Sequence, residues 1–234
     1  MNLFYVSPAD IRHPHIRIKG QEAKHISKVM RYSVSDLIMV TDGLGSRFKC
    51  EISTINGSEM DLKIIESSSE KRDLPHLTVC VGNIKKRDRL EFSVEKMTEL
   101  GVDRVIIFTG EYSQKERVRT DRLESAVLAA MKQSLRLFLP AIQVENSLKD
   151  ALSLCSDDEK LLMADETSTP ENSNREQISK SRSLFVVIGP EGGFSEKERK
   201  LLQERGAESY SLGKKRLRTE TAAIVAADRL KNLS

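Results

Sequence analysis

Cysteine is scarce in this sequence. Its 234 residues hold three, Cys50, Cys80 and Cys155. An odd number without a CxxC pair argues against a disulfide framework and a zinc site, and the expected compartment is the reducing cytoplasm. His13, His15, His25 and His76 lack ligand spacing, so no metal is expected. Long apolar runs are missing as well. None approaches the roughly 18–20 residues of a spanning helix, so no membrane role is expected. The opening MNLFYVSPAD has neither a basic stretch nor an apolar one after it, from which we expect no secretory signal. Nor is there a large excess of one charge sign, since 38 Lys and Arg face 35 Asp and Glu.

The distribution of charge says more than its sum. Arg12, Arg17, Lys19, Lys24, Lys28 and Arg31 stand against a single acid, Glu22. From Gln177 onward 12 basic residues face 7 acidic ones, whereas Glu145–Glu176 carries 9 acidic and 3 basic residues. Positive charge at both ends suits an anionic polymer, and equally an ordinary solvated surface.

A hydrophobic fraction of 38% supports a buried core. Residues 1–70 read as short strands with one helix, Gln21–Met30. Phe48, Cys50 and Ile52 alternate with Arg47, Lys49 and Glu51, as in a half-buried strand. Turns at Asp42-Gly43-Leu44-Gly45 and Asn56-Gly57 join such strands into hairpins, and a small barrel is expected. The apolar-free Ser67–Asp73 reads as a linker, with a second domain over 74–234. There strands at Leu77–Val81, Arg104–Thr109, Leu161–Ala164, Leu184–Ile188 and Ser209–Leu212 alternate with helices at Arg87–Leu100, Thr120–Phe138, Ser195–Arg205 and Thr219–Leu230. That alternation predicts an α/β fold with a parallel sheet covered on both faces. The polar, aperiodic Thr167–Ser183 is expected to be a mobile surface loop.

Two segments carry chemistry. Ile188-Gly189-Pro190-Glu191-Gly192-Gly193-Phe194-Ser195 leaves a buried strand and enters a helix opened by a Ser195/Glu198 capping box. Its glycines suit a backbone that approaches a ligand closely, at the strand end where α/β proteins bind ligands. It has neither the Lys-Ser/Thr of a P-loop nor the GxGxxG spacing of a dinucleotide site. Further on, Leu212-Gly213-Lys214-Lys215-Arg216-Leu217-Arg218 places four cations ahead of a helix N-terminus, with Thr219 and Thr221 as capping hydroxyls. Two such loops can converge on one ligand.

The runs GPEGGFSEKE, LGKKRLRTETAA, EKMTELGV (Glu95–Val102) and QSLRLFLP (Gln133–Pro140), with DGLG (Asp42–Gly45), His25 and Val29-Met30-Arg31, resemble the RsmE family over nearly the whole chain. These are SPOUT-class methyltransferases that act on N3 of a uridine in 16S ribosomal RNA. The resemblance implies an N-terminal PUA-like β-barrel for RNA, and a SPOUT α/β domain with a C-terminal trefoil knot. It implies a homodimer that binds S-adenosylmethionine and acts on 16S rRNA within the 30S subunit. Carried over by position, it places the cofactor against Gly189, Pro190, Glu191, Gly192 and Gly193, then Leu212, Gly213, Leu217, Arg218, Glu220, Thr221 and Ala222. Met163, Ala164 and Ile188 would help to close the adenine slot. The sequence departs from the family at Tyr112, where many members have Arg, and at Leu135, where Gly is common.

Methylation at N3 needs an aligned acceptor, loss of the N3 proton and stabilisation of charge on O2 or O4. Arg218 is the candidate cation, orienting either a phosphate or the uracil carbonyl. Glu220 either takes a proton, holds Arg218, or is a helix-N-terminal acid stabilising the dipole. Arg12, Arg17, Lys24, Lys28 and Arg31 are the candidate phosphate contacts. The small-apolar run from Ala222 to Ala227 predicts a last helix with partners on more than one side, in keeping with a dimer. A pure RNA-binding module and a methyltransferase with another RNA target remain open at this point.

Overall fold

The computed structural model describes residues 2–113, 117–165 and 178–233. The chain divides into two compact units, the first comprising Met1–Arg72 with Leu128–Leu139 and the second Asp73–Val127 with Pro140–Ser234.

The first unit is built on strands β1 (Leu3–Tyr5), β2 (Ile11–Arg12), β3 (His15–Lys19), β4 (Leu37–Thr41), β5 (Ser46–Asn56) and β6 (Glu59–Ser69). Helix α1 (Gly20–Lys24) follows β3 and widens into a π-helical turn over His25–Val29. The strands form one sheet in the order β1-β4-β5-β6-β3-β2, parallel only at β1–β4. Alternation places Phe48, Cys50 and Ile52 inside with Phe4, Ile16, Ile18, Val40 and Leu62. The expected barrel is corrected to an open sheet in its hydrogen bonding. Its edges are β1 and β2, and the two-residue β2 is too short to pair across a seam. Asp42 Oδ1 accepts from the amides of Leu44 (2.8 Å) and Ser46 (3.0 Å), which fixes the turn between β4 and β5.

The sequence does not announce that 128–139 belongs to this unit. Gly45 N donates to Leu137 O at 2.9 Å and Leu139 N to Gly43 O at 2.8 Å. Lys132 Nζ meets Glu22 Oε2 at 2.8 Å, and Glu22 Oε1 also accepts from Tyr5 N at 3.0 Å. Helix α3 spans Thr120–Gln133 and stops short of the expected Phe138, because Leu135 takes a left-handed φ of 58°. Leu135 is therefore exposed rather than core.

The second unit contains β7 (His76–Gly82), α2 (Arg87–Glu99), β8 (Arg104–Phe108), β9 (Ala141–Glu145), α4 (Leu148–Leu152), β10 (Lys160–Ala164), β11 (Ser183–Ile188), α5 (Glu196–Glu204), β12 (Glu208–Ser209) and α6 (Thr219–Lys231). The sheet order is β12-β10-β11-β7-β8-β9 and every pairing is parallel. Such a sheet must be covered on both faces. On one side Leu148 and Leu152 of α4 and Leu202 of α5 pack with Cys80, Phe108 and Phe185. Helix α6 packs on α2 and against β7 and β11, with Ala222, Ala223, Ala226, Ala227 and Leu230 buried. The second partner that its apolar circumference requires is thus α2 of the same chain. Lys231 Nζ closes the helix onto the carbonyls of Asp73 (3.1 Å) and Pro75 (2.9 Å). Of the expected loop Thr167–Ser183, residues 167–177 lie outside the described residues, and Ile178 is fully buried.

Replacing Lys132 by Met leaves the half-buried Glu22 without its cation. We expect a loss of about 1–3 kcal/mol in chemical denaturation, and partial recovery in the Lys132→Met/Glu22→Gln double variant.

Candidate functional site

Because all six strands of the second unit run the same way, their carboxyl ends share one edge. A cavity of about 640 Å³ opens there, bounded by the loops after β10, β11 and β12 and by Arg89 of α2. This is within the size range of small-molecule sites. The loop after β11 is held from three sides. Beneath it, a Cβ on Gly82 would come within 2.4 Å of Pro190 N, so β7 must end in glycine for the backbones to approach. At its far end Ser195 Oγ accepts from Glu198 N (3.1 Å) and Glu198 Oε2 from Ser195 N (2.8 Å), completing the capping box. Across the cavity, Thr219 Oγ1 donates to Gly189 O at 3.2 Å.

That last bond corrects the capping assignment. The N-cap of α6 is Arg218, without a side-chain cap bond, while Thr219 links the two loops and Thr221 is exposed. Among the expected cofactor residues, Ala164, Ile188, Gly189, Pro190, Glu191, Gly193, Leu212, Gly213, Leu217, Arg218 and Ala222 line the cavity. Met163, Gly192, Glu220 and Thr221 do not. Gly192 is required for another reason: its Cβ would meet Tyr112 Cβ at 2.7 Å. Arg89, Asp165, Phe194, Lys214, Lys215, Arg216 and Thr219 also line the cavity. The basic run signalled Lys214–Arg216 in the sequence. Nothing signalled Arg89, which arrives only because β7 pairs with β11.

Electrostatically the rim is positive. Lys214, Lys215 and Arg218 are exposed and have no ion-pair partner among the described residues. Arg89 Nη1 lies 3.5 Å from Glu220 Oε1 and 3.9 Å from Glu191 Oε1. Glu220 is therefore paired with Arg89, not Arg218. It is only 8% exposed, and its Oε2 has no hydrogen-bond partner among the described residues. Asp165 is paired with Arg199. Burial holds the thiols protonated: Cys50 is pushed up to about 12, Cys155 to about 11 and Cys80 well above its usual value. No three His, Cys, Asp or Glu side chains among the described residues are grouped to hold a metal. No described helix is long and apolar enough to cross a membrane.

In the first unit, Arg12, Arg17, Lys24, Lys28 and Arg31 are all exposed. Arg17 is committed to Asp61 at 2.7 Å, a contact that raises the guanidinium pKa and lowers that of the carboxyl. The other four have no ion-pair partner among the described residues.

A parallel sheet with a glycine-rich loop and a basic loop stapled over its carboxyl edge defines an α/β ligand-binding domain. Comparison with known proteins makes this specific. Residues 71–231 match the family described as an RNA methyltransferase domain, and residues 18–65 match an RNA methyltransferase PUA domain. The chain belongs to this RNA methyltransferase family. It is 31% identical over 225 residues to the ribosomal RNA small subunit methyltransferase E of Bacillus subtilis, covering 91% of this chain and 88% of that protein. A probable rRNA methyltransferase from Porphyromonas gingivalis superposes with a TM-score of 0.85 at 30% identity, covering 100% of this chain and 98% of that one. The small subunit methyltransferase E of Neisseria gonorrhoeae, bound to S-adenosyl methionine, shares the fold with a TM-score of 0.85 at 23% identity, covering 100% and 98%.

Gly82→Ala should force the Pro190 backbone away from β7. We expect a loss of about 1–3 kcal/mol in denaturant unfolding, as for other overpacked interiors. An unchanged midpoint would show that the approach is slack.

Proposed function

We propose that this protein transfers a methyl group from S-adenosylmethionine to N3 of a specific uridine in 16S rRNA of the small ribosomal subunit. It does so in the cytoplasm and as a homodimer. The observation that carries the reading is the cavity itself, where the glycine loop and the basic loop are joined by Thr219 and face one another within a chain of this family.

The lining fits the cofactor. Ile188, Leu212, Leu217 and Phe194 offer an apolar slot for a purine, Glu191 a carboxylate for an ammonium, and Lys214 and Lys215 cations for a carboxylate. When bound, S-adenosylmethionine supplies an electrophilic methyl group on a sulfonium. The chain's residues do the rest. The apolar slot excludes water, and the cations of the rim draw in the RNA phosphates. Arg218, exposed at the start of α6 and without an ion-pair partner among the described residues, would face the uracil carbonyl that gains negative charge as N3 gives up its proton to solvent water. A cation there lowers the N3 pKa and stabilises the attacking form. Glu220, buried behind Arg89 and outside the cavity lining, positions that arginine rather than meeting the base.

A trefoil knot is part of the proposal. Its support is that β12 lies beside β10 at the sheet edge, whereas α6 packs against β7 and β11. Residues 210–218, which connect them, run along the same edge as the loop after β11, which Thr219 then meets at Gly189. The dimer is supported by the partly exposed Ile224 and Val225 of α6 and by Phe92 of α2, 49% exposed on the helix that packs against it. For the first unit, Arg12, Lys24, Lys28 and Arg31 contact RNA phosphates.

Arg218→Ala should keep the dimer in light scattering and keep calorimetric affinity for S-adenosylmethionine within about threefold. Methyl transfer to unmodified 30S particles should fall roughly 100-fold or more. Wild-type turnover would make Arg218 a bystander, and a monomeric wild type would remove the dimer. Absence of cofactor binding by the wild type would leave an RNA-binding module in place of the enzyme.

Reversing Lys24 and Lys28 to Glu should weaken RNA binding and reduce the log–log salt slope by about 2. Reversal of Arg17, already neutralised by Asp61, should do less.

A further inference from the structure

Tyr112 is 58% exposed, yet it stands on a rigid turn. Ser113 Oγ accepts from Gly110 N at 2.9 Å, and Ser113 N donates back to Gly110 O at 3.0 Å. Glu111 N donates to Glu198 Oε1 at 3.0 Å, so the same carboxylate that caps α5 also pins this turn. On its inner side Tyr112 leaves no room for a Cβ on Gly192, which would lie 2.7 Å from Tyr112 Cβ. Gly192 has no left-handed φ to explain it. A glycine of the cofactor loop thus accommodates a side chain that is not buried. Among the described residues the Tyr112 ring has no aromatic or cationic partner and its hydroxyl no hydrogen bond.

The turn follows β8 at the same sheet edge as the cavity, and Glu191 and Gly193, on either side of Gly192, line that cavity. A pre-ordered aromatic face beside a reaction site, with no described residue stacked on it, is the surface on which an unpaired nucleobase settles. We propose that Tyr112 is a stacking shelf for an unpaired base of the RNA substrate next to the methylated uridine. The proposal rests on the RNA methyltransferase reading and adds a positioning residue to it. Stacking uses the ring face and not the hydroxyl. It needs no counterion, so it differs from the lysine and arginine contacts in its response to salt.

The test is direct binding of a uridine-rich single-stranded RNA to the full-length protein across a salt series, with methyl transfer to unmodified 30S particles measured in parallel. Tyr112→Ala should weaken RNA binding about fivefold or more, and raise KM for the particle similarly, with kcat less affected. The salt slope and the affinity for S-adenosylmethionine should stay at wild-type values, the latter showing that the cofactor loop is intact. Tyr112→Phe should restore binding to within about twofold. Wild-type RNA affinity in Tyr112→Ala overturns the proposal. A Phe variant as poor as the Ala variant overturns it too, by assigning the effect to the hydroxyl. RNA binding that depends on Tyr112 without transfer to 30S by the wild type would sink the target assignment and leave the shelf standing.

Discussion

The site depends on one requirement of connectivity. After β12, at the far edge of the sheet, the chain has to return to α6, which packs against β7 and β11 in its middle. The return path lies over the carboxyl edge, so the basic loop 212–218 is laid against the glycine loop 189–193. Thr219 fastens the two where they meet, by donating to Gly189 O. At the other end of α6, Lys231 is held by the carbonyls of Asp73 and Pro75. A helix tethered at both ends cannot withdraw without opening the cavity. The cavity and the topology are therefore one structure, and the small side chains of Ala222, Ala223, Ala226 and Ala227 let the helix come close enough to α2 and the strands to close it.

Charge follows the same division of labour. Two acids near the cavity are occupied, Glu220 by Arg89 and Asp165 by Arg199, while Glu191 keeps only a loose contact with Arg89 at 3.9 Å. The cations on the outer rim, Lys214, Lys215 and Arg218, stand in solvent without ion-pair partners among the described residues. Exposed ion pairs contribute little to stability, so leaving these cations unpaired costs the fold little. What they provide is a positive field at the entrance, suited to an anionic partner.

Local signals were readable in the sequence and long-range ones were not. The β5 alternation of Phe48, Cys50 and Ile52, the Ser195/Glu198 capping box and the α/β grammar after residue 74 each depend on neighbours a few positions apart, and each appears in the structure. Strand β9 and helix α4, at Ala141–Glu145 and Leu148–Leu152, escaped because β9 is an edge strand with half-exposed residues and α4 is a single turn. The family motifs located most of the cavity lining, since the two loops are contiguous runs. Arg89 escaped because its role is set by the β7–β11 pairing. The membership of Leu128–Leu139 in the first unit rests on Lys132 meeting Glu22 and on Leu139 meeting Gly43, contacts between distant positions that no periodicity encodes.

Gly192 shows why a motif can be correct and its usual reading incomplete. In a glycine-rich loop at a strand end, each glycine is read as making room for a ligand. Here the neighbours Glu191 and Gly193 face the cavity, while the missing Cβ of Gly192 makes room for Tyr112. One loop therefore has two occupied sides, a cavity on one and an aromatic ring on the other. The turn that carries the ring is pinned by Glu198, the residue that also caps α5 and ends the loop. A displacement of Gly192 in either direction must be felt on both sides, because the loop is only a few residues long and is fixed at Pro190 by β7 and at Ser195 by the cap. Cavity and ring then share one wall, and the geometry between the two faces is set by the fold itself.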